Sequence, residues 1–331
     1  MENKKQYEKQ KKRNYNQYIE EEGIKEEKSK ENQKKIKEVL KPKLKGDENN
    51  QINLIDESKV NNTKTELKDK HKEIIYDNGD KYIGDINNGI KHGQGIIYYN
   101  EKNYEQRLKY EGEWKNDLKE GKGILYFNNG NKYDGDFKND LFDGKGIYYN
   151  KDGDRYEGEW KNGKKEGKGI LYCNNGCIYD GDFKNDLFDG KGVFYSNNGE
   201  IYDGEWKNDL MEGKGIFFYN DGDRYEGDWK NDLMEGKGIF FYNDGDRYEG
   251  EWKNGSEEGK GISYYNDGDI YNGEWKNGSK EGKGIFYFNN GDIYDGDWKN
   301  DLMEGKGIFY YNNGDKEIGQ YMNGYEIDIQ S

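Results

Sequence analysis

Apolar and polar side chains alternate with a period of two over most of the chain, which is the pattern of half-buried β-strands. In the segment Arg-Tyr-Glu-Gly-Glu-Trp-Lys at 155–161, Tyr156, Gly158 and Trp160 fall on one face and the charged residues on the other. A second kind of segment, Gly-Lys-Gly-Ile-Phe-Phe-Tyr at 213–219, begins with two glycines and continues with aromatic residues. Helical periodicity is absent from residue 74 onward, so the pattern predicts a meander of β-hairpins.

The hairpin pattern repeats at a constant step of 23 residues from Tyr110 to Tyr294. Its marker is Tyr-x-Gly-x-Trp/Phe. An earlier copy begins at Tyr82, displaced by five residues inserted between 100 and 109, and a degenerate copy at 317–321 closes the series. The marker residues are Tyr110, Gly112, Trp114; Tyr133, Gly135, Phe137; Tyr156, Gly158, Trp160; Tyr179, Gly181, Phe183; Tyr202, Gly204, Trp206; Tyr225, Gly227, Trp229; Tyr248, Gly250, Trp252; Tyr271, Gly273, Trp275; and Tyr294, Gly296, Trp298.

Two further glycine motifs recur between these markers. Gly-Lys-Gly starts the second strand of each unit, and Asn-Asp-Gly or Asn-Asn-Gly follows that strand. Asn, Asp and Gly tolerate the positive φ angles that hairpin turns require, so the second motif predicts a turn in every unit.

Glycine inside a strand is destabilising unless another group must lie close to the backbone. The candidates here are the tyrosine and tryptophan rings, two residues away on the same face. A ring over a bare glycine backbone buries both, and one aromatic layer can then stabilise one sheet. No single unit buries enough surface, so stability must come from stacked neighbours. The predicted fold is all-β: an elongated, single-layer, twisted antiparallel β-meander of stacked 23-residue hairpins.

Charge divides the chain into two segments. Residues 1–70 contain 19 basic and 15 acidic residues, whereas the rest contains 34 basic and 53 acidic residues, a net charge of −19. The first segment is poor in apolar residues, so we predict a charged low-complexity tail, disordered or transiently helical. The predicted repeat array spans 71–324, and a short C-terminal tail spans 325–331. An aromatic content of 15% argues against disorder in the array.

The repeated Tyr-Glu-Gly-Glu-Trp-Lys-Asn-Gly, Gly-Lys-Gly and Asp-Gly landmarks resemble the MORN repeat (membrane occupation and recognition nexus). The resemblance covers about residues 73–324, in ten near-complete units with a fragment at each end. It implies an elongated single-layer β-hairpin array used as a scaffold, as in junctional membrane proteins, parasite cytoskeletal collars and ciliary radial spokes. It implies no catalytic residue. This chain departs from the pattern in its insertion, its acidic balance and the phenylalanines at Phe137 and Phe183.

The residues do not favour catalysis or metal binding. Residues 202–224 and 225–247 differ only by two Asp/Glu exchanges, whereas a catalytic site requires one unit to differ from its neighbours. The recurrent Asp-Gly-Asp at Asp152, Asp221, Asp244 and Asp267 is better explained by turn formation, because its spacing is that of neither the EF-hand nor the nonapeptide calcium repeat and other units have Asn-Asn-Gly instead. Cys173 and Cys177 flank one turn and are expected to be reduced thiols. We predict no enzyme activity and no catalytic residue, metal or cofactor.

Protein binding is the predicted function: a scaffold or adaptor at the cytoskeleton or membrane cortex, in the cytoplasm or a cilium, without nucleic acid. An apolar pair after the first strand of several units would form a stripe for a partner or a second copy of the chain. These residues are Leu141, Phe142, Leu187, Phe188, Leu210, Met211, Leu233, Met234, Leu302 and Met303. Alternatively, the pairs fold back over the aromatic layer as a cover. The alternative function is peripheral binding to anionic phospholipids through lysines of the array and the basic tail.

Overall fold

The computed structural model describes residues 71–100 and 107–327 of the 331-residue chain. The predicted tail at 1–70, most of the inserted segment and residues 328–331 lie outside the described residues. Within the described residues there are 23 strands, all in one antiparallel sheet, and no helix. The predicted all-β antiparallel meander is therefore confirmed.

The strands are β1 (His71–Ile75), β2 (Lys81–Asn87), β3 (Ile90–Tyr98), β4 (Arg107–Lys115), β5 (Leu118–Phe127), β6 (Lys132–Lys138), β7 (Leu141–Tyr149), β8 (Arg155–Lys161), β9 (Lys164–Tyr172), β10 (Ile178–Lys184), β11 (Leu187–Tyr195), β12 (Ile201–Lys207), β13 (Leu210–Phe218), β14 (Arg224–Lys230), β15 (Leu233–Phe241), β16 (Arg247–Lys253), β17 (Ser256–Tyr264), β18 (Ile270–Lys276), β19 (Ser279–Tyr287), β20 (Ile293–Lys299), β21 (Leu302–Tyr310), β22 (Lys316–Met322) and β23 (Tyr325–Ile327). Each strand pairs with its neighbours along the chain, and β1 and β23 lie at the two open edges. The predicted C-terminal tail is wrong in its first residues, because Tyr325 pairs with Met322 and β23 adds a strand after the two-residue turn at 323–324.

Two turn types connect the strands. Within each hairpin, a two-residue Asn-Asp or Asn-Gly turn places both residues at positive φ, as at Asn208 (50°) and Asp209 (68°). Between hairpins, a longer turn ends in the predicted glycine, such as Gly222 with φ of 102°. The Gly222 amide donates to the carbonyl of Tyr219, and the next residue resumes pairing. Asn, Asp and Gly are the residues that adopt these backbone angles at least cost, which explains why they recur.

The two glycines of Gly-Lys-Gly have different roles. The first, such as Gly213, has a φ of 64° and lies where the register of the hairpin shifts. The second, Gly215, pairs with Gly204 on one side and with Gly227 on the other. The same pairing continues from Gly84 in β2 to Gly319 in β22, so every strand in between contributes one glycine. We call this line across the strands the glycine row.

The asparagine–aspartate turns also join successive hairpins. The Asp232 amide donates to the carbonyl of Met211, 3.1 Å away, and an Asp232 carboxylate oxygen accepts from the Met211 amide at 2.7 Å. Asn231 donates its amide to Glu212 of the same preceding hairpin. Each turn is therefore fixed to its neighbour by backbone as well as side-chain hydrogen bonds. These bonds supplement the strand pairing at the edge of the sheet.

Candidate interaction surfaces

The tyrosine, glycine and tryptophan markers share one side of the sheet, which we call the aromatic face. Tyr202 is 1% exposed, and its ring lies over Gly204 and Gly215 of the glycine row. A Cβ atom added to Gly215 would lie 2.5 Å from Cζ of Tyr202, so only glycine fits beneath the ring. The equivalent tyrosines, from Tyr82 to Tyr294, are all buried. Each ring removes apolar surface from water and covers the ladder hydrogen bonds below it.

The polar atoms of these rings are hydrogen-bonded. The hydroxyl of Tyr202 donates to the carbonyl of Glu205 at 3.1 Å, and Trp206 Nε1 donates to the carbonyl of Gly192 at 3.1 Å. Tyr202 also meets Trp206 of its own repeat and Trp229 of the next, edge to face, at 5.0 and 5.4 Å between ring centroids. Each marker tyrosine from Tyr110 to Tyr294 meets the tryptophan or phenylalanine of its own repeat and the corresponding ring of the next, which for Tyr294 is Tyr321. Tyr82, whose own repeat has Ile86 at this position, meets Trp114. The face is one continuous aromatic layer.

The two departures from tryptophan are matched by a second change across the hairpin. Phe183 lies directly opposite Phe188, whereas Trp206 lies opposite Met211. Phe188 stacks on Tyr179 with the ring centroids 3.7 Å apart. Phe137 and Phe142 repeat this arrangement over Tyr133. A smaller ring at the marker position is thus combined with a larger side chain at its cross-strand partner, which preserves the packed volume.

The predicted apolar pairs do not act as units. They lie in the second strand of each hairpin rather than in a loop, and successive strand residues point to opposite faces. The second members, Phe142, Phe188, Met211, Met234 and Met303, pack against the aromatic core. The first members, Leu141, Leu187, Leu210, Leu233 and Leu302, are 37–46% exposed on the opposite face. The second residue of each pair therefore has the position expected of a cover over the aromatic layer, and the first has the position expected of an exposed stripe.

The exposed leucines alternate with lysines along the edge of the sheet that carries the two-residue turns. Lys207 pairs with Leu210 and Lys230 with Leu233, and the same pattern holds in the other hairpins that have leucine at this position. We call this strip the lysine–leucine edge. Ile90 and Leu118, which the sequence analysis did not single out, occupy the same position and are also exposed. Their location directly after the two-residue turns Asn88-Gly89 and Asn116-Asp117 is the signal that identifies them.

The side of the sheet opposite the aromatic layer, which we call the open face, carries a groove of about 870 Å³ across parts of four successive repeats. Its floor is the glycine row from Gly215 to Gly261. Ile216, Ile239 and Ile262 form one line along it, and each pairs with an acidic residue or asparagine on the neighbouring strands. A smaller groove of about 560 Å³ lies on the same face at 122–168. Both grooves combine aliphatic and charged side chains.

Lysines of Gly-Lys-Gly line the groove beside this isoleucine line, and most of them face an acid. In the smaller groove, Lys168 Nζ lies 2.7 Å from Asp182, and Lys122 lies at the same distance from Asp136. Burial alone would raise the pKa of Asp182, but hydrogen bonds from the Lys168 ammonium and the Lys191 amide outweigh it and lower the pKa. These lysines do not form a purely basic row, since positive and negative groups alternate across the strands.

The remaining predicted chemical sites have structural positions. Asp152 lies in a turn and donates its amide to Asn150, and its carbonyl accepts from Asn174 of the next repeat. Cys173 and Cys177 are both free thiols at one turn, joined by a backbone hydrogen bond of 2.9 Å. Within 71–100 and 107–327, no three His, Cys, Asp or Glu side chains are grouped to hold a metal ion. The same residues include no helix that is long and apolar enough to cross a bilayer.

The fold and its repeating surfaces define the class of protein. It is a β-hairpin repeat array in which equivalent residues form regular rows along the faces and the edge of the sheet. The family model of the MORN repeat matches ten segments of the chain. They are residues 82–103, 110–132, 133–155, 156–178, 179–201, 202–224, 225–247, 248–270, 271–293 and 294–316. The chain therefore belongs to the MORN repeat family, whose repeats are associated with protein or membrane interaction.

Two solved structures show a distant likeness to the chain. The TCP domain of SAS-4 from Drosophila melanogaster, in complex with a proline-rich motif of Ana2, is 15% identical, with a TM-score of 0.32, over 54% of this chain and 90% of that chain. The TCP10 domain of CPAP from Danio rerio, in complex with a STIL peptide, is 11% identical, with a TM-score of 0.34, over 76% of this chain and 100% of that chain. Likeness of this degree does not indicate what the present chain binds. No curated protein matches the chain.

Proposed function

We propose that the array is a non-enzymatic scaffold that binds an extended segment of a partner protein along the open face, at the cytoskeleton or membrane cortex. The observation that carries the proposal is that the two faces of the sheet differ in burial. The aromatic layer is buried and stabilises the sheet, whereas the groove of about 870 Å³ is open and runs across several repeats. A ligand that follows the repeats can add small contacts from each unit.

The groove favours a partner segment of mixed aliphatic and basic character. The isoleucine line offers half-buried apolar contacts, and it is interleaved with Asp203, Glu226 and Glu249. The segment from residue 71 onward has a net charge of −19, which steers basic partners toward the array. Charge steering sets the rate and selectivity of association, while the isoleucines supply the buried contact.

A displayed peptide library, selected on the full-length chain, tests this proposal. Ile239→Lys should weaken the binding of the selected peptides at least tenfold, because it replaces an apolar contact in the isoleucine line with a charge. Ile308→Lys is the matched control, since Ile308 occupies the same line outside the groove. Equal loss in both variants, or no loss in Ile239→Lys, would contradict binding in the groove. Circular dichroism verifies that both variants keep the sheet.

Peripheral lipid binding is the second candidate, and the lysine–leucine edge is the observation that favours it. Within the described residues, Lys207 and Lys230 form no ion pair, and they lie beside half-exposed leucines. Flotation with phosphatidylserine vesicles at two salt concentrations tests this candidate. Salt-sensitive flotation that is lost in Lys207→Glu/Lys230→Glu and retained in Lys214→Glu would assign lipid binding to this edge. Absence of flotation would leave the edge without a membrane role.

A further inference from the structure

The aromatic face has a second row of rings outside the tyrosine–tryptophan markers. It is formed by the residue at the end of the second strand, where the long turn begins, so it recurs once per repeat. The residues at this position are Tyr76, Tyr99, Phe127, Asn150, Cys173, Ser196, Tyr219, Tyr242, Tyr265, Phe288 and Tyr311. Three consecutive members near the middle of the row therefore lack a ring.

Neighbouring repeats show where the ring belongs. The centroid of the Tyr219 ring lies 4.5 Å from that of Phe217 in its own repeat and 5.7 Å from that of Phe240 in the next. Phe288 takes the same place between Phe286 and Phe309, at 4.6 and 5.6 Å. A side ring at this position is thus clamped between two other aromatic residues. Such contacts stabilise beyond the area they bury.

At Ser196 both clamping rings are present but the central ring is absent. The corresponding residues, Phe194 and Phe217, line a cavity of about 200 Å³. Tyr202, Trp206 and Met211 complete its apolar wall, and the Ser196 side chain is too small to fill it. The position of Cys173 is different, because the Lys165 ammonium lies close by, 5.2 Å from the Tyr156 ring centroid. Ser196 thus marks a vacant ring position with an apolar wall.

We infer that this cavity, the Ser196 slot, binds an aromatic side chain of a partner polypeptide. The chain itself supplies the argument for the occupant, since a tyrosine or phenylalanine fills the equivalent place in every later repeat, beginning with Tyr219. Glu200 and Asp232 also line the cavity and add polar groups for the backbone of a bound segment. The slot is on the aromatic face, so it is distinct from the open-face groove and its test does not depend on the groove. Buried aromatic anchors of this kind dominate the affinity of many protein interfaces.

Saturation-transfer NMR with the full-length chain tests the slot. N-acetyl-tyrosinamide and N-acetyl-phenylalaninamide serve as probes because each presents an aromatic side chain between two peptide groups. N-acetyl-leucinamide is the aliphatic control. We expect the aromatic probes to bind at least tenfold more tightly than the control. Equal binding of the three probes, or no detectable binding of the aromatic ones, would overturn the inference.

Two substitutions locate the binding. Ser196→Tyr restores the ring seen at Tyr219, so it should raise the melting temperature of the array and abolish probe binding. Tyr219→Ser removes a clamped ring between Phe217 and Phe240 and should create a second slot, which doubles the number of probe molecules bound. Unchanged probe binding in Ser196→Tyr would place the probe elsewhere and contradict the assignment. If Tyr219→Ser unfolds, Ser196→Tyr alone still decides the result.

Discussion

The ring of Tyr202 lies over Gly215 of the adjacent strand so closely that no other residue can replace that glycine without moving the ring. This contact joins a large apolar side chain to a bare backbone and recurs in each complete repeat. It explains how a sheet whose strands all lie in one meander keeps its aromatic residues out of water. The opposite face does not bury this aromatic layer, and it carries the groove.

The hydroxyl of the marker tyrosine contributes separately from its ring. Tyr202→Phe removes the bond to the Glu205 carbonyl but leaves the ring in place, so it should lower the free energy of unfolding by about 1 kcal/mol. Tyr202→Ala also removes the cover over the glycine row and should cost about 3–5 kcal/mol. Urea unfolding followed by circular dichroism measures both. Equal losses in the two variants would show that the ring adds nothing to the stability of the array.

Alkaline pH should destabilise the array. Burial raises the pKa of Tyr202 and its equivalents above their ordinary value, and the neighbouring Glu205 charge adds to the rise. The folded state therefore retains protons that the unfolded chain loses above pH about 10. Stability is fully present below that pH, and each buried tyrosine removes about 1.4 kcal/mol per pH unit above it. The part of the tyrosinate absorbance that comes from the buried tyrosines should appear together with the loss of the circular dichroism signal, whereas ionisation of all tyrosines in an array that keeps this signal would contradict the prediction.

Changing only one residue of the Phe183–Phe188 pair to its counterpart in the tryptophan repeats should destabilise the array. Phe183→Trp places a larger ring opposite Phe188 and should destabilise the array by about 1–3 kcal/mol. Adding Phe188→Met recreates the Trp206–Met211 pair of the next repeat and should recover most of the loss. A double-mutant cycle measures this as a coupling of about 0.5–3 kcal/mol. Strict additivity would mean that the two positions do not share one packed volume.

The aspartate turns should be more sensitive to alanine than to glycine. Asp232→Ala removes the acceptor of the Met211 amide and forces an alanine to a φ of 67°, so we expect a loss of about 1–2 kcal/mol. Asp232→Gly loses the same hydrogen bond but relieves the backbone, and Gly255 already occupies the equivalent place in the next repeat. Hydrogen exchange of β13 and β14 compares the two variants. Faster exchange in the glycine variant than in the alanine variant would contradict this account.

Much of the fold could be predicted from the sequence because each structural device recurs at a fixed step. Tyr156, Gly158 and Trp160 alternate with charged residues, and that alternation places them on one face without any knowledge of the partner strand. The turn glycines could be predicted equally well, because Gly222 and its equivalents follow Asn or Asp in every repeat. Local sequence patterns and the three-dimensional arrangement agree in this array, so the sequence of one chain is enough to predict its strands and turns.

The surfaces could not be predicted to the same degree, since they depend on register. Leu210 and Met211 are adjacent in sequence, and only the short turn before them determines that Leu210 faces the open side while Met211 enters the aromatic layer. The register shift at Gly213 and the groove above Gly215 likewise follow from how two strands are aligned. Ser196 appears as an ordinary turn residue until the rings of Phe194 and Phe217 are placed beside it.

Hydrogen exchange of the Gly215→Ala variant, compared with Lys214→Ala as a neighbouring exposed control, tests the ring-over-glycine contact most directly. An added Cβ would meet Tyr202 and displace its ring, so β12 to β14 should lose amide protection while distant hairpins keep theirs. The lysine variant should exchange like the unmodified chain. If Gly215→Ala exchanges no faster than Lys214→Ala, the tyrosine ring does not hold the sheet at the glycine row, and the proposed source of stability is wrong.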